Sequence, residues 1–196
     1  MVLEKFNFSR RSRTDEGFSL VEVLVATCIL TIGVVSLAQL FALSTRSNTS
    51  ARHSTFAAVL AEQKVEELRA LTWGFDSVGL PSSDGTTNTA VYPETPTGGT
   101  GLTPSPSSAL QENTAGYVDH VDQFGLKVGT GGTSPPDGAL YTRRWSIEPL
   151  PTNPNNTLII QVLVTRNRNR GQADQGSVTR LPDEARVVTV KTRKAQ

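Results

Sequence analysis

The chain has 196 residues, 37% hydrophobic and 19% charged, with 19 Lys or Arg against 18 Asp or Glu and a formal net charge of +1. That length allows one or two ordinary domains, the near-neutral charge argues against a strongly polyanionic partner, and a single Cys excludes an intramolecular disulfide framework or a Cys-rich zinc site. The averages conceal an uneven layout: residues 74–140 hold one Lys and seven acids, whereas residues 141–196 hold ten Lys or Arg and four acids.

The first 17 residues, MVLEKFNFSRRSRTDEG, are polar and carry Lys5, Arg10, Arg11 and Arg13. A secretory signal places its cleavage site after the apolar stretch, but here the punctuating Gly17 comes before it. Phe18, Ser19, Leu20, Val21 and Glu22 follow, and then residues 23–45 contain no Asp, Glu, Lys or Arg. Twenty-three such positions are enough to span a bilayer as a helix. The excess of basic residues before the span predicts a cytoplasmic N-terminus and the remainder on the far side. Cys28 lies inside the span and reads as a small buried hydrophobe.

Glu22 needs an explanation, because a carboxylate in a membrane helix costs roughly 2.5–3.5 kcal/mol at its centre and less near an end. In the first turns of a helix the positive end of the dipole favours an anion, and position 22 shares a helical face with position 18. A Glu that snorkels to water at the interface is the plainer alternative.

The order polar leader, Gly17, Phe18, Glu22 and apolar helix resembles the prepilin signal of type IV pilins and of the pseudopilins of type II secretion. The resemblance implies that an inner-membrane prepilin peptidase cuts between Gly17 and Phe18 and methylates the new Phe18 amine. It implies that Glu22 pairs with the Phe18 amine of a neighbouring subunit during assembly. The implied partners are the prepilin peptidase, other pilins or pseudopilins, the inner membrane and its pilus assembly platform; no cofactor, metal or catalytic residue is implied. An uncleaved signal anchor carrying an unrelated periplasmic domain is the competing view, and it makes Gly17 dispensable.

Residues 47–73 contain no Pro or Gly and are rich in Ala, Leu, Glu, Gln and Arg, so the helix is predicted to continue unbroken to Trp73. Phe56, Leu60 and Leu71, broadened by Ala57, Val59, Ala61 and Leu68, form a stripe suited to packing on a sheet. Glu62, Glu66 and Ala70 occupy much of the other side, with intrahelical charge pairs expected. Ala61, Glu62, Glu66 or Glu67, Leu68 and Arg69 are similar to the helix end of pilus-modification minor pilins. Gly33, alone in the span, reads as a close helix contact, a point of local melting or simply a tolerated Gly.

Residues 74–140 include 36 Gly, Pro, Ser or Thr among 67 positions, a composition that cannot by itself bury a large core. A loop region is predicted, with residues 90–92 and 116–128 as local exceptions able to form a short hairpin or edge strand. Strands are predicted at 141–147, 158–165 and 186–192, with 177–181 as a further candidate. The whole is predicted as an α+β chain: a cleaved leader at 1–17, a transmembrane helix at 18–45, an amphipathic continuation at 46–73, the loop region at 74–140, and an antiparallel sheet at 141–196 laid on the helix. This is the pilin-like architecture that the resemblance implies. Many major pilins close a C-terminal loop with a disulfide, which this chain cannot do, and that departure favours a minor subunit.

Three other clusters have competing readings. Arg166, Arg168 and Arg170 alternate, which would place three guanidinium groups on one face of an extended strand, where they could contact phosphate or DNA. With little aromatic interleaving for base stacking, a solvated hairpin end or a contact to an acidic neighbour is the simpler account. Asp119, His120 and Asp122 lack the spacing of a calcium loop and read as a surface loop. Asn48-Thr49-Ser50 and Asn155-Asn156-Thr157 fit the N-glycosylation pattern, which carries little weight if the chain is bacterial, as the resemblance implies. The favoured reading is a non-enzymatic minor pilin; the alternatives are a type II secretion pseudopilin or a membrane-anchored DNA- or ligand-binding module.

Overall fold

A computed structural model describes residues 17–167 and 184–193. The described elements run α1 (Leu20–Ala70), β1 (Trp73–Phe75), β2 (Pro81–Ser83), β3 (Val118–Val121), β4 (Tyr141–Pro149), β5 (Thr157–Arg166) and β6 (Ala185–Thr192). The chain divides into two compact units, Met1–Arg46 and Ser47–Gln196.

The first unit contains the N-terminal part of α1. Its apolar side chains are exposed, and α1 is long and apolar enough there to cross a membrane. The few polar side chains are satisfied within the helix: the Thr27 hydroxyl donates to the Leu24 carbonyl at 2.9 Å, that of Thr31 to Thr27, and that of Ser36 to Ile32 at 2.8 Å. Back-bonding of this kind lets hydroxyls enter hydrocarbon without orphaned groups.

In the second unit, the rest of α1 packs on one four-stranded antiparallel sheet of order β3-β4-β5-β6. This is an α+β arrangement with its helix before its sheet. Ala57, Leu60, Ala61, Val65 and Leu68 recur at helical spacing and bury one face of α1. They meet the inward residues of the strands, which register in rows: Trp145 opposite Val162, and Ile147 opposite Ile160. Of the expected stripe, Phe56 and Leu71 pack partly buried against the core, while Val59 is exposed.

The three strands expected after residue 140 are present, each one or two residues longer than the β-rich runs, because cross-strand pairing carries on through Pro149, Thr157 and Ala185. The candidate strand at 177–181 lies outside the described residues. The expected edge strand in 116–128 is β3, paired with β4 from Val118↔Arg144 to Val121↔Tyr141. Residues 90–92 form no strand, and β1 and β2 form a separate two-stranded ribbon that composition did not indicate.

The Gly-, Pro-, Ser- and Thr-rich region is more ordered than its composition implies. It buries only a few apolar groups, Ala90, Leu102, Ala109 and Tyr117 among them. Hydrogen bonds do much of the rest: Asp84 accepts from Thr86 N and Thr87 N at 3.0 Å each and from the Thr87 hydroxyl at 2.6 Å, and the Tyr117 hydroxyl donates to Pro104 O at 3.0 Å. Ser105 N donates to Ile147 O while its hydroxyl accepts from Ile147 N, fastening the region to β4. Consequently both faces of β4 are covered from Tyr141 to Ile147.

Candidate functional site

Two places in the chain carry chemistry, one in each unit. At the start of the first, Gly17, Phe18 and Ser19 precede the helix, and Ser19 O accepts from Val23 N at 3.1 Å. Gly17 has open space where a Cβ would stand, and Phe18 is 81% exposed. Glu22 lies in the first turn of α1. With Phe18, Val23, Ala26, Thr27 and Leu30 it lines one shallow apolar groove, although Phe18 itself precedes the helix. The basic leader residues Lys5, Arg10, Arg11 and Arg13 lie outside the described residues.

The second place is a buried ionic cluster that sequence reasoning missed. Lys64 sits on the inward face of α1 with no exposed surface. Its ammonium donates to Thr89 O at 2.6 Å, lies 3.1 Å from Asp119 Oδ2 and 3.1 Å from Glu67 Oε2, and stands 3.8 Å from the centroid of the Trp145 ring. Arg143 grips Asp119 with both arms of its fork, Nε to Oδ1 at 2.7 Å and Nη2 to Oδ2 at 2.8 Å. Around the edge, Lys127 bonds Glu67 and lies 3.7 Å from Glu94.

Burial works against ionisation of Asp119, but the charges and hydrogen bonds of Lys64 and Arg143 outweigh it and hold the carboxyl below its usual range. Burial is also the largest influence on Lys64 and lowers its pKa, despite the attraction of Asp119 and Glu67. Glu94 goes the other way: its hydrogen bond to Glu67, its partial burial and the Glu67 charge push it up to about 7. The Lys64 ammonium donates to Thr89 O and ion-pairs with Asp119 and Glu67, and Asp119 is held by Lys64 and by both arms of Arg143. The cluster therefore clasps helix, sheet and loop region together.

The expectation of a surface loop at Asp119, His120 and Asp122 is corrected accordingly. Asp119 and His120 lie in β3 and are buried, because the strand alternation turns Asp119 toward Lys64 and His120 toward Thr142 Oγ1 at 3.0 Å. Asp122 does lie in a turn. No group of three or more His, Cys, Asp or Glu among the described residues is placed to hold a metal ion. The expected intrahelical pairing is present at Glu66 and Arg69, 2.8 Å apart. Arg166 ends β5 opposite Tyr141 and is half-buried, whereas Arg168 and Arg170 lie outside the described residues.

Signals for the cluster did exist. Lys64 falls in phase with Leu60, Ala61 and Leu68, and Arg143 falls in phase with Tyr141, Trp145 and Ile147, so both charges occupy positions that periodicity assigns to the core. No protein-family model, curated protein or solved structure matches the chain.

Proposed function

We propose that the chain is a minor pilin: a structural subunit that a prepilin peptidase cleaves between Gly17 and Phe18 and that enters, or primes, a type IV pilus. One juxtaposition carries the reading. An exposed, non-helical Gly17-Phe18 bond stands immediately before a helix with Glu22 in its first turn and no charge from residue 23 to residue 45. A peptidase needs accessible, non-helical backbone at the scissile bond, and the exposure of Gly17 and Phe18 ahead of the helix supports the reading. Release of an amine at Phe18 would create a positive charge on the Glu22 face, and pairing that amine with a neighbour's Glu22 would offset the cost of an isolated carboxylate in an apolar assembly.

On this reading the protein is anchored in the inner membrane with its head in the periplasm, and the second unit is that head. Its role is assembly, with the clasp at Lys64, Asp119 and Arg143 holding the head's shape. The test is mass spectrometry of sheared filaments and of membranes, searching for a peptide that begins at N-methylated Phe18 and ends at Arg46. Recovery from filaments supports the minor pilin. Recovery from membranes alone moves the reading to a type II secretion pseudopilin or to a subunit that primes the pilus without entering it. A leader that stays attached in cells with an active peptidase overturns both.

A further inference from the structure

Five Asp lie among the described residues of the second unit, and four have their carboxylates engaged. Asp119 is gripped by Arg143 and Lys64. Asp76 Oδ1 accepts from Val78 N at 3.0 Å and Leu80 N at 2.8 Å, and Asp122 Oδ1 from Phe124 N at 2.8 Å and Leu126 N at 2.9 Å. Asp84 takes the amides of Thr86 and Thr87 and the Thr87 hydroxyl. Asp137 is the exception: it stands exposed in a turn, and among the described residues no donor or cation meets its carboxylate.

Two of the five, Asp84 and Asp137, are followed directly by Gly. A glycine carries no Cβ to screen its amide nitrogen, and its backbone turns readily toward the side chain before it. That nitrogen can then attack the preceding carboxyl carbon. The two Asp-Gly pairs share this chemistry but not their surroundings.

At Asp84-Gly85 the main chain is tied on both sides, Leu102 N donating to Asp84 O at 2.7 Å and the Thr103 hydroxyl to Gly85 O at 3.4 Å. Ring closure there would have to break three hydrogen bonds to the carboxylate. It would also need that carboxyl protonated. Partial burial favours the neutral form, but the hydrogen bonds from Thr87 and Thr86 outweigh it and hold the group below its usual range.

At Asp137-Gly138 both residues are exposed, and Gly138 has φ 87° with open space around the position of a Cβ. Among the described residues its amide has no acceptor; the turn is closed one residue later, by Ala139 N donating to Pro136 O at 3.2 Å. Side chain and nucleophile are both free to move.

We propose that Asp137-Gly138 is a site of spontaneous isoaspartate formation, a reaction that the fold withholds from Asp84-Gly85. Gly138 N forms a bond to Asp137 Cγ; the carboxyl C–OH bond breaks, and the hydroxyl leaves with the amide proton as water, giving a succinimide. Water then adds at the Asp137 main-chain carbonyl carbon and breaks its bond to Gly138 N. The α-carboxylate is released, and the main chain, now running through Cγ, is one carbon longer with no net change in mass. Beyond the turn the chain is stapled, with Leu140 N donating to Val121 O at 2.8 Å and Asn167 Nδ2 to Ala139 O at 2.8 Å. The extra carbon therefore falls on the turn and its Ala139–Pro136 bond. The reaction needs no partner and is indifferent to whether the chain enters a filament.

The test holds the full-length chain in detergent at neutral pH and body temperature for several weeks, one portion folded and one in guanidinium. Trypsin releases Val128–Arg143, in which Asp137 is the only Asp. Asp-N protease, which cuts before Asp but not before isoaspartate, reports conversion at both Asp-Gly bonds. The folded chain is expected to accumulate several-fold more isoaspartate at Asp137 than at Asp84, and the two to converge in guanidinium. Equal conversion in the folded chain, or more at Asp84, overturns the proposal. So does an Asp137 that converts only when denatured. A disparity that persists in guanidinium would assign the difference to neighbouring sequence and overturn the role given to the fold.

Discussion

The two ends of α1 are one continuous run of helical hydrogen bonds but answer to different physics. From Leu20 to Thr45 the helix buries none of its side chains within the chain, and its hydroxyls turn back onto its own carbonyls. From Ala57 to Leu68 it buries six, one of them a lysine. In the first part the surroundings must come from outside the chain; in the second the chain supplies them itself. The difference teaches that a helix can be read from sequence well before the medium that stabilises it can.

Substitution breaks that symmetry most strongly at the clasp. Asp119→Ala would leave Lys64 and Arg143 buried without their shared anion, and removing one partner of a buried pair costs about 3–5 kcal/mol. The expected outcome is a head that unfolds at much lower denaturant, measured by Trp fluorescence of the full chain in detergent. Glu22→Ala, at the other end of the same helix, is expected to leave that midpoint unchanged while reducing recovery of the subunit from filaments. Equal denaturation midpoints for Asp119→Ala and the parent chain would sink the clasp as a stabilising element.

Next in size is the apolar contrast. Leu68 is fully buried and Leu30 is 66% exposed. Leu68→Ala is expected to cost the head about 2–5 kcal/mol by lost burial and the cavity left behind, and Leu30→Ala nothing measurable in the same assay. A smaller effect is expected at the helix C-terminus, where the Lys191 ammonium reaches Arg69 O and also donates to Leu71 O at 2.8 Å. Lys191→Met removes a cation from the negative end of the helix dipole and should cost about 0.3–1 kcal/mol, with a dependence on salt that Leu68→Ala lacks.

These contrasts also mark how much of the molecule could be read in advance. The long apolar helix, the strands of the four-stranded sheet and their antiparallel order followed from period and composition, whereas β1 and β2 carry no such pattern. The clasp was not legible, since its members lie in a helix, two strands and a loop, at positions 64, 67, 94, 119, 127 and 143, and a charged residue at a core position announces a partner without naming it. The order of the loop region was illegible for another reason: it comes from side-chain caps such as those of Asp76, Asp84 and Asp122, which leave no periodic trace.

The subtlest way to sharpen the comparison is by pH. Glu94 has a folded-state pKa of about 7 against 4.5 for the ordinary group, through its hydrogen bond to Glu67, its partial burial and the Glu67 charge. A carboxyl whose pKa is raised on folding binds its proton more tightly in the native state. Its contribution is complete below about pH 4.5 and is lost as pH rises through about 7. Asp119 runs in the opposite sense: its pKa is lowered on folding, so its contribution is present above the ordinary carboxyl range and disappears in acid. The head should therefore be most stable in mildly acidic solution and decline modestly toward pH 8, since Glu94 is partly solvated. Glu94→Gln should flatten that decline while leaving the acid limb, set by Asp119, in place. Thermal midpoints of both chains between pH 4 and 8 decide the matter: a parent chain whose stability is level from pH 5 to 8 would separate Glu94 from the clasp, and an acid limb that moved with Glu94→Gln would take Asp119 out of it.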